Sequence, residues 1–168
     1  MSIKIRSKFL LYLIYSILFL ILFLLQTSPS LQIKIFNLVP MLILPLIINI
    51  AIFENLNVSC SFAIVFGLVM DLQSVIFGFN SIFFVLTSIL VYYLIKNLLK
   101  GNIFVVIAFN VLFESLYFIF EFILSAGYKY NIFNLFLKDS LIKISISIIF
   151  TMVLYVVFYA LSKMKKLV

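Results

Sequence analysis

The chain has 168 residues, 67% of them hydrophobic and only 10% charged, with a mean hydropathy of +1.37 and a net charge of +7. A soluble domain is about 45–50% apolar and about 25% charged, and one of this length leaves roughly a third of its unfolded surface in water. The composition therefore excludes a water-soluble globular protein and points to an all-α, polytopic membrane protein. The absence of histidine and the single cysteine, Cys60, exclude an imidazole base, a histidine metal site and an intrachain disulfide.

A membrane-spanning helix needs about 20 mostly apolar residues. The first such run is 9–25, preceded by Lys4, Arg6 and Lys8. Those cations and the apolar stretch resemble a signal peptide. The run is long, however, and the following QTSPS offers no A-x-A-like cleavage site, so an uncleaved span is expected. The second span is 35–53, with Pro40 near its start and Pro45 expected to kink it. Residues 54–57, ENLN, form a short turn. Residues 58–95 carry one charge, Asp71, and as a single helix would be about 57 Å long, nearly twice the hydrocarbon thickness. They must fold back on themselves. Polar and flexible residues at Gln73, Ser74, Gly78, Asn80 and Ser81 place the turn there and divide the run into short third and fourth spans, 58–72 and 80–95, suggesting a thin or half-inserted hairpin. The fifth and sixth spans are 103–124 and 141–162. Between them the loop 125–140 contains NIFNLFL, a candidate interfacial helix. No soluble domain is expected.

The cations orient these six spans. With the N-terminus in the cytoplasm, the inner segments hold Lys4, Arg6, Lys8, Lys96, Lys100, Lys163, Lys165 and Lys166. The outer ones hold Lys34, Lys129, Lys138 and Lys143. That bias follows the positive-inside rule and places both termini in the cytoplasm. The positive charge is thus read as a topology anchor beside anionic lipid, not as a nucleic-acid surface. The four glycines form neither a G-x-G-x-x-G nor a Walker loop, and no cofactor or metal is expected.

An ionised side chain at the bilayer centre costs about 2.5–3.5 kcal/mol on insertion scales, so acids inside spans are expected to face protein or water. Asn110, Glu114, Tyr117 and Glu121 recur at helical spacing on one face of the fifth span, a stripe that should face the bundle. It serves either helix–helix hydrogen bonding or a ligand or partner contact, with a proton relay a distant third reading. Glu121 and Lys143 lie at similar depth on adjacent spans and are expected to form an ion pair, the alternative being independent snorkelling to the headgroups. Asp71 ends the third span, where its carboxylate is placed to cap the fourth helix or the turn by accepting N–H bonds. Gly67, four residues earlier, shares its helix face and admits a close backbone. Gly78 supplies a turn conformation closed to bulkier residues. The three make either a purely architectural hairpin or a partner-binding surface.

Taken in order, a basic start with one span, a proline-bearing second span, a third span ending in G-x-x-x-D, a turn, a glycine and a fourth span resemble MreD, the small membrane subunit of the bacterial rod-shape system. The family pattern, roughly G-x-x-x-D-x-x-x-x-x-x-x-G, matches Gly67, Asp71 and Gly78, with Phe79 and Asn80 where the family often has a Leu–Asn-like pair. The resemblance implies a non-enzymatic inner-membrane scaffold for peptidoglycan synthesis and cell shape. Its implied partners are the bitopic protein MreC, the actin homologue MreB, and a SEDS glycosyltransferase with its penicillin-binding transpeptidase. It also implies a fold similar to the substrate-binding subunit of energy-coupling factor transporters. Such a vitamin-transport subunit is the alternative function, although the outer loops are poor in residues that would line a pocket. An intramembrane enzyme would need a nucleophile–base pair or a metal cage, and the scattered acids suggest neither.

Overall fold

The computed structural model describes residues 3–34, 38–74, 76–98, 102–125 and 133–167. These form six α-helices: α1 (Ile3–Thr27), α2 (Ile43–Phe53), α3 (Leu56–Asp71), α4 (Phe79–Leu98), α5 (Ile103–Ser125) and α6 (Phe133–Leu167). Among the described residues the fold is entirely helical. Four of the helices, α1, α4, α5 and α6, are long and apolar enough to cross a membrane.

The organising element is α2. It has 11 residues, and every one from Ile43 to Ala51 is buried. A helix apolar on all sides has no solvent-facing stripe and belongs inside a bundle. Accordingly α2 touches each of the other five helices, with the α3–α4 and α5–α6 hairpins packed around it. Its start corrects the expected second span. Residues 38–42 are not helical, and residues 35–37 lie outside the described ones. Pro40 disfavours helical geometry in the residue before it. Pro45 occupies the third helical position, in the first turn, where a missing N–H costs little. Pro45 therefore helps to set where the helix begins, instead of kinking its middle.

The buried approach to α2 finds side-chain support. The Leu42 N–H donates to Gln26 Oε1 at 3.0 Å, and Gln32 Nε2 donates to the Gln26 carbonyl at 2.9 Å. Irregular backbone is tolerated at membrane depth when protein satisfies it.

The remaining boundaries fall within three residues of expectation, except that α1 begins at Ile3, six residues before its expected start, and that α6 is longer at both ends. That helix runs unbroken for 35 residues. Residues 126–132 lie outside the described ones, and from Phe133 onward the suggested interfacial helix is simply the first turns of α6.

Aromatic rings fasten α1 to the rest. Phe19 stacks on Phe66 of α3 with centroids 3.9 Å apart, and Tyr15 stacks on Phe158 of α6 at 4.8 Å. Tyr15 also donates its hydroxyl to Glu54 Oε1 at 3.0 Å.

Candidate functional site

The hairpin α3–α4 is built on a stripe of small side chains. Ser59, Ala63, Gly67 and Asp71 recur at every fourth position of α3, so they share one face, and all four are buried. Small residues let two helix backbones approach closely in a membrane. At one end, the hydroxyls of Ser59 and Ser88 hydrogen-bond across the pair. At the other end, the first turn of α4 rests on Gly67. A Cβ added there would stand 2.4 Å from Ser81 Cα and 2.8 Å from Ser81 N. No rotamer change can relieve a clash with backbone, so glycine is a condition of this contact.

That approach brings Asp71 to the start of α4. Its carboxylate is 1% exposed. Oδ1 accepts the Asn80 N–H at 2.8 Å, and Oδ2 accepts the Ser81 N–H at 3.1 Å together with the Ser81 hydroxyl. Asn80 and Ser81 are the second and third residues of α4, whose N–H groups lack intrahelical acceptors. Asp71 thus supplies from a neighbouring helix what an N-cap side chain ordinarily supplies locally, and its charge complements the positive end of the α4 dipole. The capping role expected for Asp71 is the observed one. Gly78 has φ +88°, inside the left-handed region, and gives the chain its turn into α4.

The latch continues into α5. Asn80 Oδ1 accepts the Tyr117 hydroxyl at 2.9 Å, and the Tyr117 ring lies 5.3 Å from both Phe79 and Phe83. One turn deeper, Glu114 is fully buried and Asn110 is fully buried. Ser147 of α6 joins them. Its hydroxyl donates to Glu114 Oε2, and Asn110 Nδ2 donates to that same hydroxyl at 3.0 Å. Among the described residues Asn110 Oδ1 and Glu114 Oε1 have no hydrogen-bond partner, and the same holds for Asn49 Oδ1 on α2 and Thr87 Oγ1 on α4.

The predicted stripe on α5 is therefore three-quarters internal. Asn110, Glu114 and Tyr117 face the bundle, whereas Glu121 is exposed. The expected Glu121–Lys143 ion pair is corrected too. The two groups interact electrostatically at a distance, and the Lys143 ammonium stands 5.4 Å from the centroid of the Phe118 ring. Phe118 lies one residue after Tyr117, and its ring draws the cation by its π-face.

Several participants, Ser88 among them, were not singled out from the sequence. Ser59 and Ala63 were legible in principle as the continuation of the four-residue spacing from Gly67 and Asp71. Ser147 was not, because its role depends on which face of α6 meets α5. Glu54, placed in a turn by sequence, is 6% exposed and engaged with Tyr15.

Chemically, the arrangement is one of close backbone contact and internal hydrogen bonding. Among the described residues, no group of histidine, cysteine, aspartate or glutamate side chains converges as a metal site. Comparison with known proteins finds no matching family model, no matching curated protein and no matching solved structure.

Proposed function

We propose that this chain is a six-span protein of the bacterial inner membrane that acts as a non-enzymatic, MreD-like scaffold, and that the α3–α4 hairpin is the surface through which it holds a partner. Helix lengths support the membrane placement. Lys143 and Lys163 are separated by about 30 Å along α6, Ile103 and Glu121 by about 27 Å along α5, and Phe79 and Lys96 by about 26 Å along α4. These lengths are close to the ~30 Å thickness of a hydrocarbon core. The shorter α2 and α3 fit within it, α2 with its non-helical lead-in 38–42. Lysine and arginine bias supports cytoplasmic termini.

One observation carries the functional reading. Gly67, Asp71 and Gly78, the residues of the family-like motif, operate as one unit that locks α4 against α3. A rigid hairpin of this kind presents fixed outer faces to a partner helix, and its polar groups are consumed internally. This suits assembly better than turnover. The partner class is an MreC-like bitopic protein, with MreB and the glycosyltransferase–transpeptidase pair reached through it.

The test has two arms. Depletion should round or widen the cells, and Asp71→Asn should reduce recovery of the MreC-like partner while Ser145→Ala, at an exposed position of α6 remote from the hairpin, leaves it intact. Normal cell shape combined with a vitamin requirement would replace the scaffold by the transporter subunit. Unchanged partner recovery would return Asp71 to a purely internal role.

A further inference from the structure

Asp71 and Glu114 are both fully buried, but the hydrogens around them differ. The Asp71 carboxylate accepts three, from two backbone N–H groups and the Ser81 hydroxyl. Several such donors are what a buried negative charge requires. Glu114, equidistant from the two ends of α5, has a single hydrogen-bond partner. Its Oε2 meets the Ser147 hydroxyl, and its Oε1 has no partner among the described residues.

The surroundings of Ser147 leave that carboxyl no hydrogen to accept. The Ser147 oxygen lies within bonding distance of Asn110 Nδ2 at 3.0 Å, of the Ile144 carbonyl at 2.9 Å and of Glu114 Oε2. A hydroxyl has one hydrogen and two lone pairs. Asn110 Nδ2 donates and occupies one lone pair. The Ile144 carbonyl can only accept, so it takes the hydrogen. An ionised Glu114 would compete for that same hydrogen, leaving one buried acceptor facing a lone pair. Turning the Asn110 amide over would add a third acceptor and worsen the shortage. A proton on Oε2 satisfies all three contacts: the acid and the amide donate to Oγ, and the hydroxyl donates to Ile144.

Among the described residues no cation takes the place of that proton. Helix α5 packs against α2, α4 and α6. No side chain of α2 titrates. On α4 the titratable groups are Tyr92, Tyr93 and Lys96, near its far end, with the Lys96 ammonium 5.6 Å from the Tyr92 ring. On α6 Lys143 lies one turn from Ser147, with its ammonium at the Phe118 ring. Lys138 and Asp139 lie further towards the start of α6, and Tyr155, Tyr159 and Lys163 more than two turns beyond Ser147. On α5 itself Tyr117 donates to Asn80, and Glu121 is exposed.

We propose that Glu114 is a proton-holding site, a neutral carboxylic acid at neutral pH that joins α5 to α6 by donating from Oε2 to Ser147 Oγ. This reverses the donor and acceptor that an ionised Glu114 would impose on the pair. The inference concerns α5 and α6 and stands apart from the partner-binding reading of the α3–α4 hairpin.

Infrared spectroscopy of the full chain in lipid vesicles at neutral pH tests it. The difference between wild type and Glu114→Gln should contain the C=O stretch of a protonated carboxylic acid. Ser147→Ala should shift that band without removing it, because the acid loses its acceptor, and Asp71→Asn should leave it in place. Circular dichroism and elution volume establish that the variants are folded. Should Glu114→Gln fail to fold, the shift in Ser147→Ala assigns the band on its own. A wild-type minus Glu114→Gln difference holding only the paired stretches of a carboxylate, or an acid band unmoved by Ser147→Ala, overturns the proposal. Loss of the acid band on adding sodium ions also overturns it, because a metal cation would then hold the site.

Discussion

The Asp71 carboxylate accepts both the backbone N–H and the hydroxyl of Ser81, ten residues further along the chain, and so ties the end of α3 to the first turn of α4. Loss of the carboxylate leaves two helix-start donors without acceptors in a buried setting. Asp71→Ala should destabilise the folded protein by about 1–2 kcal/mol, the usual range for removing a helix cap. Asp71→Asn, which retains one acceptor oxygen, should cost less. Reversible unfolding in mixed micelles measures both, and equal stability of Asp71→Ala and the wild type would show that the cap contributes nothing.

The two glycines of the hairpin differ in kind, and their substitutions should separate them. At Gly67 an added methyl meets the Ser81 backbone, so Gly67→Ala must push the helices apart, with an overpacking penalty of about 1–3 kcal/mol. At Gly78 nothing lies within 4 Å of the added Cβ, and Gly78→Ala is penalised only by its positive φ, about 1 kcal/mol. Gly67→Ala should also partly disconnect Asp71 from Ser81. The double variant Gly67→Ala with Asp71→Ala should therefore be less destabilised than the sum of its parts. Strict additivity would mean that the close approach and the cap are independent.

Ser147 bridges α5 and α6 through one hydroxyl shared by Asn110 and Glu114. Ser147→Ala strips both partners at once. Thr151→Ala removes only a bond to the carbonyl one turn earlier on the same helix. Ser147→Ala should be the more damaging of the two. A double-mutant cycle between Ser147→Ala and Glu114→Gln should give a coupling of about 0.6 kcal/mol, and at most about 1.7 kcal/mol, the range for membrane-helix hydrogen bonds. A coupling near zero would remove this contact from the energetics of the bundle.

The six-crossing arrangement makes its own prediction. In a Cys60→Ser background, cysteines introduced at Ser30 or Gln73 should react with an impermeant maleimide in intact spheroplasts. Cysteines at Asn55 or Asn102 should react only after permeabilisation. Labelling at position 55 from outside would break the proposed topology.

What the residues dictate locally was readable in the chain itself. Apolar runs of membrane length located the long helices, because lipid requires every backbone group to be satisfied within a helix. The i, i+4 spacing of Gly67 and Asp71, ahead of a polar turn, foretold a capped hairpin because capping geometry depends on only a few neighbouring positions. Two prolines also announced where α2 is disturbed. Their consequence, an 11-residue helix with a non-helical lead-in, depended on the central place that α2 takes in the bundle. Partner choice was beyond the sequence for the same reason. Glu121 and Lys143 look matched in depth, yet Lys143 goes to the Phe118 ring, while Ser147 gathers Asn110 and Glu114. Periodicity assigns residues to a face of one helix; only packing rotates that face towards a particular neighbour, and the rotation decides which polar groups meet.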